Sequence, residues 1–402
     1  MPRSRSPQAS DRPQAGGGIR IARVLTRLAL GGPSRQVLAS DLELARRGHS
    51  VRLFVGDPEP GEGDLRELFQ RLGLEVVSIP GLRRRPTPWA DARAGWALRR
   101  ELRAFGPDLV HTHASKAGTL GRLAARRCGL PAVHTFHGHV LEGYFPARVS
   151  RALVRVEQRL ARHTARVLTV AHATADDLVR LGVCGEEQIT VVPPGIQTEP
   201  FLGLRARSHQ LRRLVGAGED DLLVGVVGRL VPVKRPELAL EVFELLAQRH
   251  ARMHLVFVGD GPGFAGLARR VRGGSEAVRA RVHLVGAQEN MVSVMSDLDA
   301  VLLTSRSEGT PICLLEAGAA GLPVIASAVG GVEEIVAHER TGWLGESVDE
   351  WAYGLDQLLS DARMREGMGQ RARVRIAARH GASGLADRLE AVYRAVLEER
   401  GA

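Results

Sequence analysis

Residues 304–327 read TSRSEGTPICLLEAGAAGLPVIAS. A short apolar run, Ala300–Leu303, leads into this stretch, a polar loop follows it, and Val324–Ala326 closes it as a second short apolar run. Between the two runs a helix is expected to begin at Thr310–Pro311, because Thr is a good N-cap and Pro fits the first helical position. A strand, a helix and a strand within so few residues join parallel strands through a crossover, which places the chain in the α/β class. Working outward, the same alternation recurs. Upstream of it, strands are expected at Leu222–Gly228, His254–Val258 and Val282–Val285. An earlier series runs Arg20–Leu28, Val51–Gly56, Leu74–Ile79, Asp108–Thr112, Ala132–Phe136, Val167–Val170 and Ile189–Val192. Amphipathic stretches such as Ser34–Arg47, stopped by Gly48, lie between them. The polar stretch PPGIQTEP separates the two series. The expected division is a disordered tail at 1–18, a first doubly wound domain at 19–195, a linker at 196–220, a second domain at 221–382 and a terminal helix at 383–402. The terminal helix is expected to pack back on the first domain or to stay with the second. Ligands of paired doubly wound sheets sit at the carboxyl ends of the strands.

Composition narrows the function. The chain has 402 residues, 44% apolar and 25% charged, a globular composition of about two domains. No apolar run is long enough for a membrane span. The opening MPRSRSPQASDRPQAGGG lacks the apolar core of a secretory signal. Cys128, Cys184 and Cys313 are scattered, which excludes a disulfide framework and a clustered zinc site and suits a cytoplasmic location. The net charge of +10 invites an anionic partner, yet aromatics are only 4% and no basic stretch is interleaved with them, so nucleic acid is excluded. Of the 55 basic residues only Lys116 and Lys234 are lysine.

The GDGPGFAG segment places Gly261, Gly263 and Gly266 in the G-x-G-x-x-G pattern. The acidic residue required at the tip of the next strand is missing, and Pro262 removes a backbone donor from the turn, so a plain strand-to-helix turn is preferred to a dinucleotide site.

The chemistry gathers elsewhere. At the start of the helix near 310, the amides of Ile312 and Cys313 lack intrahelical acceptors and form an anion site suited to a pyrophosphate. Glu316 lies one turn deeper on the same face, able to accept from a pair of hydroxyls, and Glu308 lies on the other side of the anion site. The plain alternative is a capped helix with surface acids. In VGVVGRLVPVKRPELAL, residues 224–240, Arg229 stands at a strand tip and Lys234 before the next helix, two cations suited to a diphosphate. In PAVHTFHGHV, His134, His137 and His139 lie at a strand end, spaced poorly for metal ligation, and one could donate to a sugar hydroxyl. Gly31 and Gly32 precede a helix where a ligand can approach the backbone closely. Lys116 stands at another strand end, where a helix-start role is the plainer reading. Arg148, Arg151, Arg155, Arg159 and Arg162 form a basic stripe beside an apolar stripe of Val149, Leu153, Val156 and Leu160. That helix reads either as a core-packed helix with a solvated face or as a dock for anionic lipid headgroups.

Taken together, GG after the first strand, TFHGH, GRL followed by a lysine, GDGP, EGTPICLLEA and LPVIAS with Gly330-Gly331 resemble the retaining glycosyltransferases of the GT-B type, family 4, over roughly residues 20–390. The resemblance implies two facing Rossmann-like domains with a cleft between them, the first for the acceptor and the second for a UDP- or GDP-linked sugar donor. It implies that Arg229, Lys234, Ile312 and Cys313 hold the donor diphosphate. Glu308 would grip donor-sugar hydroxyls, Glu316 the ribose, and the backbone near Gly286 the nucleobase. His137 would stand beside the donor sugar as a catalytic residue, with Gly31 and Gly32 facing phosphate or acceptor. Family members commonly carry an acidic residue after the GG turn, where this chain has Pro33-Ser34. No cofactor, essential metal or enzymic nucleophile is implied. The acceptor would be a glycan, a lipid-linked sugar or a small molecule, and the location cytoplasmic or peripheral on the inner membrane face. Two other readings are a non-hydrolysing nucleotide-sugar epimerase and a basic membrane-binding protein with a vestigial site.

Overall fold

The computed structural model describes residues 17–58, 63–139, 141–142 and 145–401. The expected disordered tail at 1–18 therefore lies mostly outside the described residues. Its last residue, Gly18, is packed, since a Cβ there would fall 1.9 Å from the Gly48 carbonyl oxygen.

The strands are β1 Arg20–Leu25, β2 Ser50–Val55, β3 Glu75–Ser78, β4 Leu109–His113, β5 Ala132–Phe136, β6 Arg166–Thr169 and β7 Ile189–Val191. A second series follows as β8 Leu222–Val227, β9 Met253–Val258, β10 Val282–Leu284, β11 Ala300–Leu303, β12 Val324–Ser327 and β13 Gly342–Gly345. They form two separate sheets, ordered β3-β2-β1-β4-β5-β6-β7 and β10-β9-β8-β11-β12-β13. Neighbouring strands pair in parallel, with Ile21 opposite both Val51 and Leu109, and Val224 opposite both Leu255 and Ala300. Helices cover both faces, which explains why the strands are short, continuous apolar runs. In each sheet the strand order reverses beside the first strand, between β1 and β4 and between β8 and β11. The crevice at such a reversal is where a doubly wound sheet binds ligands.

Each of the twelve expected strands is present within a few residues. β13 escaped the reading because GWLG has two glycines; it pairs Trp343 with Ile325 at the sheet edge. The stretch 196–220 is not a bare linker. It carries two short helices, Glu199–Leu202 and Gln210–Val215, and contributes Ile196, Phe201 and Leu211 to the core of the second domain. Asp297 fastens the second of these helices by accepting from the His209 and Leu211 amides at 2.7 and 2.8 Å.

The terminal helix, Ala382–Gly401, crosses to the first domain and buries Leu385, Leu389, Tyr393 and Val396 against Leu38 and Leu44 of helix Gly32–Arg46 and their neighbours. The chain passes between domains twice, and the two crossings lie side by side. Ile196 donates to the His380 carbonyl at 2.8 Å, and a Cβ on Gly195 would meet the Gly381 carbonyl at 2.7 Å.

Candidate active site

The second-domain wall of the cleft is built from three turns packed backbone to backbone. Leu230 donates to the Asp260 carbonyl and Gly263 to the Leu230 carbonyl, both at 2.9 Å, while Gly259 donates to the Gly286 carbonyl at 2.8 Å. Side chains at Gly259 and Gly261 would strike the Gly228 and Leu230 carbonyls at 2.0 and 2.6 Å. Both glycines also have positive φ, so the GDGP glycines serve turn packing. This stack presents Arg229, exposed at the tip of β8, above a crevice lined by Gly228, Lys234 and Thr304.

The loop after β11 is laced to the loop after β8. Arg235 donates through Nε and Nη2 to the carbonyls of Thr304 and Ser305 at 2.7 and 2.9 Å, and the Thr304 hydroxyl returns to the Lys234 and Arg235 carbonyls at 3.1 and 2.9 Å. Arg235 adopts a left-handed backbone to do this. The lacing brings Lys234 Nζ to Glu308 Oε1, which also accepts from the Ser305 hydroxyl at 2.5 Å. Lys234 and Glu308, far apart in sequence, are therefore one ion pair.

The helix that follows is Ile312–Ala320, and its N-cap is Pro311 rather than Thr310. The Thr310 hydroxyl is instead spent on the other domain, donating to the Val170 carbonyl beyond β6 at 2.8 Å. The helix start thus lies in the gap between domains. Ile312 and Cys313 are its first two residues, whose amides have no preceding helical carbonyl. Burial pushes the Cys313 thiol up to about 12, so it stays a neutral thiol. Glu316 is buried one turn on, 4% exposed, and burial raises it to about 7 against the opposing pull of Arg35.

The first domain meets this wall closely. Ile312 packs against the turn at Gly32, its Cγ1 lying where a Cβ on Gly32 would come within 2.9 Å. Gly31 caps helix Gly32–Arg46, and Arg35 on that helix reaches Glu316 at 3.4 Å and the Glu289 carbonyl at 3.1 Å. A Cβ on Gly309 would strike the His137 carbonyl at 2.5 Å, so the residue after Glu308 packs on the backbone of His137. His137 Nε2 lies 2.9 Å from His113 Nδ1 at the end of β4. Burial and the nearby Arg23 charge lower His137 to about 4, which keeps the ring neutral.

The structure thus gathers Gly32, His137, Lys234, Glu308, Ile312, Cys313 and Glu316 at two facing strand reversals, with Arg229 and Gly286 on the turns behind. His134 and His139 are elsewhere engaged, with Thr112 at 2.8 Å and Asp177 at 3.0 Å. Lys116 pairs with Asp91 on helix Pro88–Phe105. Sequence reasoning passed over Arg35, which joins the domains, and Arg23 behind His113. A charged residue inside the apolar strand RIARVL and the imidazole-rich end of β4 were the available signals. Among the described residues, no group of three His, Cys, Asp or Glu side chains is placed to hold a metal ion.

The arginine stripe lies on helix Ala147–Ala161 and just beyond it, with all five arginines exposed. Leu160 is buried and Leu153 partly so, but Val149 and Val156 stand 44% and 39% exposed. The apolar stripe therefore does not turn wholly inward.

Residues 30–200 match the sequence model of Glycosyltransferase Family 4, and residues 209–375 that of Glycosyl transferases group 1. A D-inositol 3-phosphate glycosyltransferase of Corynebacterium diphtheriae is 30% identical over 388 residues, covering 90% of this chain and 89% of its own length. A UDP-Gal:alpha-D-GlcNAc-diphosphoundecaprenol alpha-1,3-galactosyltransferase of Escherichia coli is 27% identical, covering 85% and 88%. Among solved structures, HepE of Anabaena in complex with UDP-glucose superimposes with a TM-score of 0.80 at 19% identity, covering 94% of this chain and all of that one.

Proposed function

Because the chain belongs to family 4 of the GT-B glycosyltransferases, and so uses a nucleotide-sugar donor, we propose that this cleft transfers the sugar with retention and without a metal ion. One observation carries the reading. The Lys234–Glu308 pair, the open helix end at Ile312 and the buried Glu316 converge where His137 and Gly138 abut Gly309.

In this reading Arg229, Lys234 and the Ile312 and Cys313 amides bind the donor diphosphate and neutralise the charge that grows as the bond from the anomeric carbon to phosphate oxygen breaks. The acceptor oxygen bonds to the same face of that carbon, and its proton passes to the departing phosphate. Glu308 accepts from donor-sugar hydroxyls, His137 donates to the sugar, and Gly31 and Gly32 leave room for the acceptor. With the charge met by cations and amides, no metal is required. The test supplies UDP- and GDP-sugars with either an inositol phosphate or a polyprenyl-diphosphate sugar, with and without EDTA, and reads the product's anomeric configuration. An inverted product defeats retention, and loss of turnover in EDTA defeats the metal-free mechanism. Conversion of donor alone to its epimer would favour the epimerase.

Glu316 gives a sharper check. As a carboxylate it accepts from two ribose hydroxyls, and its protonated form has lost that capacity in part. Since burial holds it at about 7, nucleotide affinity should weaken as pH falls from 8 to 6. Glu316→Gln should bind nucleotide about tenfold more weakly at pH 8 and lose that pH dependence, as calorimetry would report. Unaltered affinity removes Glu316 from the ribose.

A lipid-linked acceptor is favoured over a small one by the surface of the first domain. Helices Pro88–Phe105, Ser115–Cys128 and Ala147–Ala161 pack in sequence on one another. The outer two carry exposed cations beside exposed apolar groups, with Trp89 and Trp96 at 88% and 64% exposure on the first and Val149 and Val156 on the other. Such a mixture suits an anionic membrane surface. No helix among the described residues is long and apolar enough to cross a membrane. At about 1 kcal/mol for each arginine near the surface, replacing Arg148, Arg151 and Arg155 by Gln should abolish sedimentation with acidic liposomes. Unchanged sedimentation would remove the stripe from any such role.

A further inference from the structure

Behind His137 lies a buried polar chain that the reaction as described does not use. Arg23, in the middle of β1, is fully buried and ion-paired with the equally buried Asp41 of helix Gly32–Arg46. Its Nη1 touches His111 Nδ1, donates to the Tyr393 hydroxyl at 2.9 Å and faces His113 Nε2 at 3.3 Å. His113 Nδ1 in turn lies 2.9 Å from His137 Nε2. A guanidinium only donates, so the directions of the whole chain follow from it. His113 Nε2 therefore turns its lone pair, not a proton, to Arg23 Nη1, which it shares with the nearer Tyr393 hydroxyl and His111 Nδ1. The neutral ring then carries its proton on Nδ1, which donates to His137 Nε2. A neutral His137 is left with its proton on Nδ1, the nitrogen that has no partner among the described residues.

The neighbouring branch obeys the same logic. The Tyr393 hydroxyl, accepting from Arg23, donates to His111 Nδ1 at 2.6 Å, and His111 Nε2 then donates to Thr135 Oγ1 at 2.7 Å. The rings of His111, His113 and His137 stack in a row. Burial, reinforced by the Arg23 charge, holds all three far below the usual histidine range, as neutral rings require. For Arg23 itself burial opposes the charge, and Asp41 overcomes that opposition and keeps it protonated.

We propose that Arg23, acting through His113, fixes His137 as its Nδ1–H tautomer, so that the ring presents a donor and never an acceptor to the sugar. A free neutral imidazole holds its proton on either nitrogen; here the choice is made before substrate arrives, by a permanent charge that cannot reverse direction. Arg23 and His113 are positioning residues. The proposal rests on the reading of His137 as the residue beside the donor sugar.

Nitrogen-15 spectra of the histidine rings in the full-length protein test it, with His137 identified by the signals lost in His137→Gln. In the wild type, His137 is expected to be protonated at Nδ1. In His113→Leu the ring loses its imposed partner, Nε2 becomes protonated in a large fraction of molecules, and turnover falls about tenfold, the worth of one hydrogen bond to the transition state, with donor KM within threefold. His113→Asn keeps an amide donor near the position of Nδ1, and should restore both the Nδ1–H signal and most of the turnover. A wild-type His137 protonated at Nε2, or a tautomer unmoved by His113→Leu, overturns the proposal, and the wild-type spectrum decides even if a variant fails to fold. A tautomer that behaves as stated while turnover stays unchanged overturns instead the placement of His137 beside the sugar.

Discussion

Lys234→Ala is expected to lower kcat/KM by a hundredfold or more while leaving the thermal transition within about a few degrees. The two expectations have different sources. Lys234 is one of only two lysines in the chain, and the Arg235 lacing between the loops holds it against Glu308 at the open end of the helix beginning at Ile312. A donor fixed where charge grows on a leaving group is worth about 2.7–4 kcal/mol of barrier, or 10²–10³ in rate. The structural cost is smaller. Lys234 is 25% exposed, and an ion pair open to water to that extent is worth only about 0–1 kcal/mol. Glu308 keeps the Ser305 hydroxyl in the variant, so it is not left bare. Steady-state rates with donor and acceptor varied separately check this, alongside a thermal melt. Activity within threefold of wild type would remove Lys234 from the diphosphate site, whatever the family resemblance implies.

How this site arises from the sequence separates what local pattern can reveal from what it cannot. The strand runs and the segment around Glu308 and Glu316 were legible because they are local: an apolar run, a proline and a helix lie within two dozen residues. Glycines of the GDGP turn were legible as turn formers, but their need for absent side chains follows from carbonyls thirty residues away, at Gly228 and Leu230. Thr310 has every local mark of an N-cap, yet it bonds to Val170 of the other domain, and the helix begins one residue later. The stretch 196–220 looks like a connector because its apolar residues are sparse. Phe201 and Leu211 nonetheless find the second core, with Asp297 supplying the amide partners its short helix lacks. Val149 and Val156 have the period of a buried stripe but stand at the surface, because periodicity names a face without saying what covers it. Least legible was the chain behind His137. Its members sit on β1, on helix Gly32–Arg46, on β4 and on the terminal helix, and Tyr393 lies 370 residues from the arginine it contacts.

That chain carries the second large effect. Arg23→Leu should destabilise the protein by about 3–5 kcal/mol, because it strands the Asp41 carboxylate in a site without water. For a protein of this size such a loss corresponds to roughly four to six degrees in the melting temperature. Arg23→Leu combined with Asp41→Leu should recover at least half of it, since the pair's attraction and its desolvation nearly offset, whereas a lone buried charge has only the desolvation. The residue left after that recovery measures what Arg23 gives to Tyr393, His111 and His113. Denaturant unfolding of the wild type, both single variants and the double variant completes the cycle. A single-variant cost below about 1 kcal/mol would mean that water reaches the pair, contrary to its complete burial. Function enters because Asp41 lies on the helix that Gly31 caps and that carries Arg35 to Glu316. The same ion pair that gives His113 its direction also seats the helix whose first turn faces Ile312, so the double variant should regain at least half of the lost stability yet turn over more slowly than the wild type.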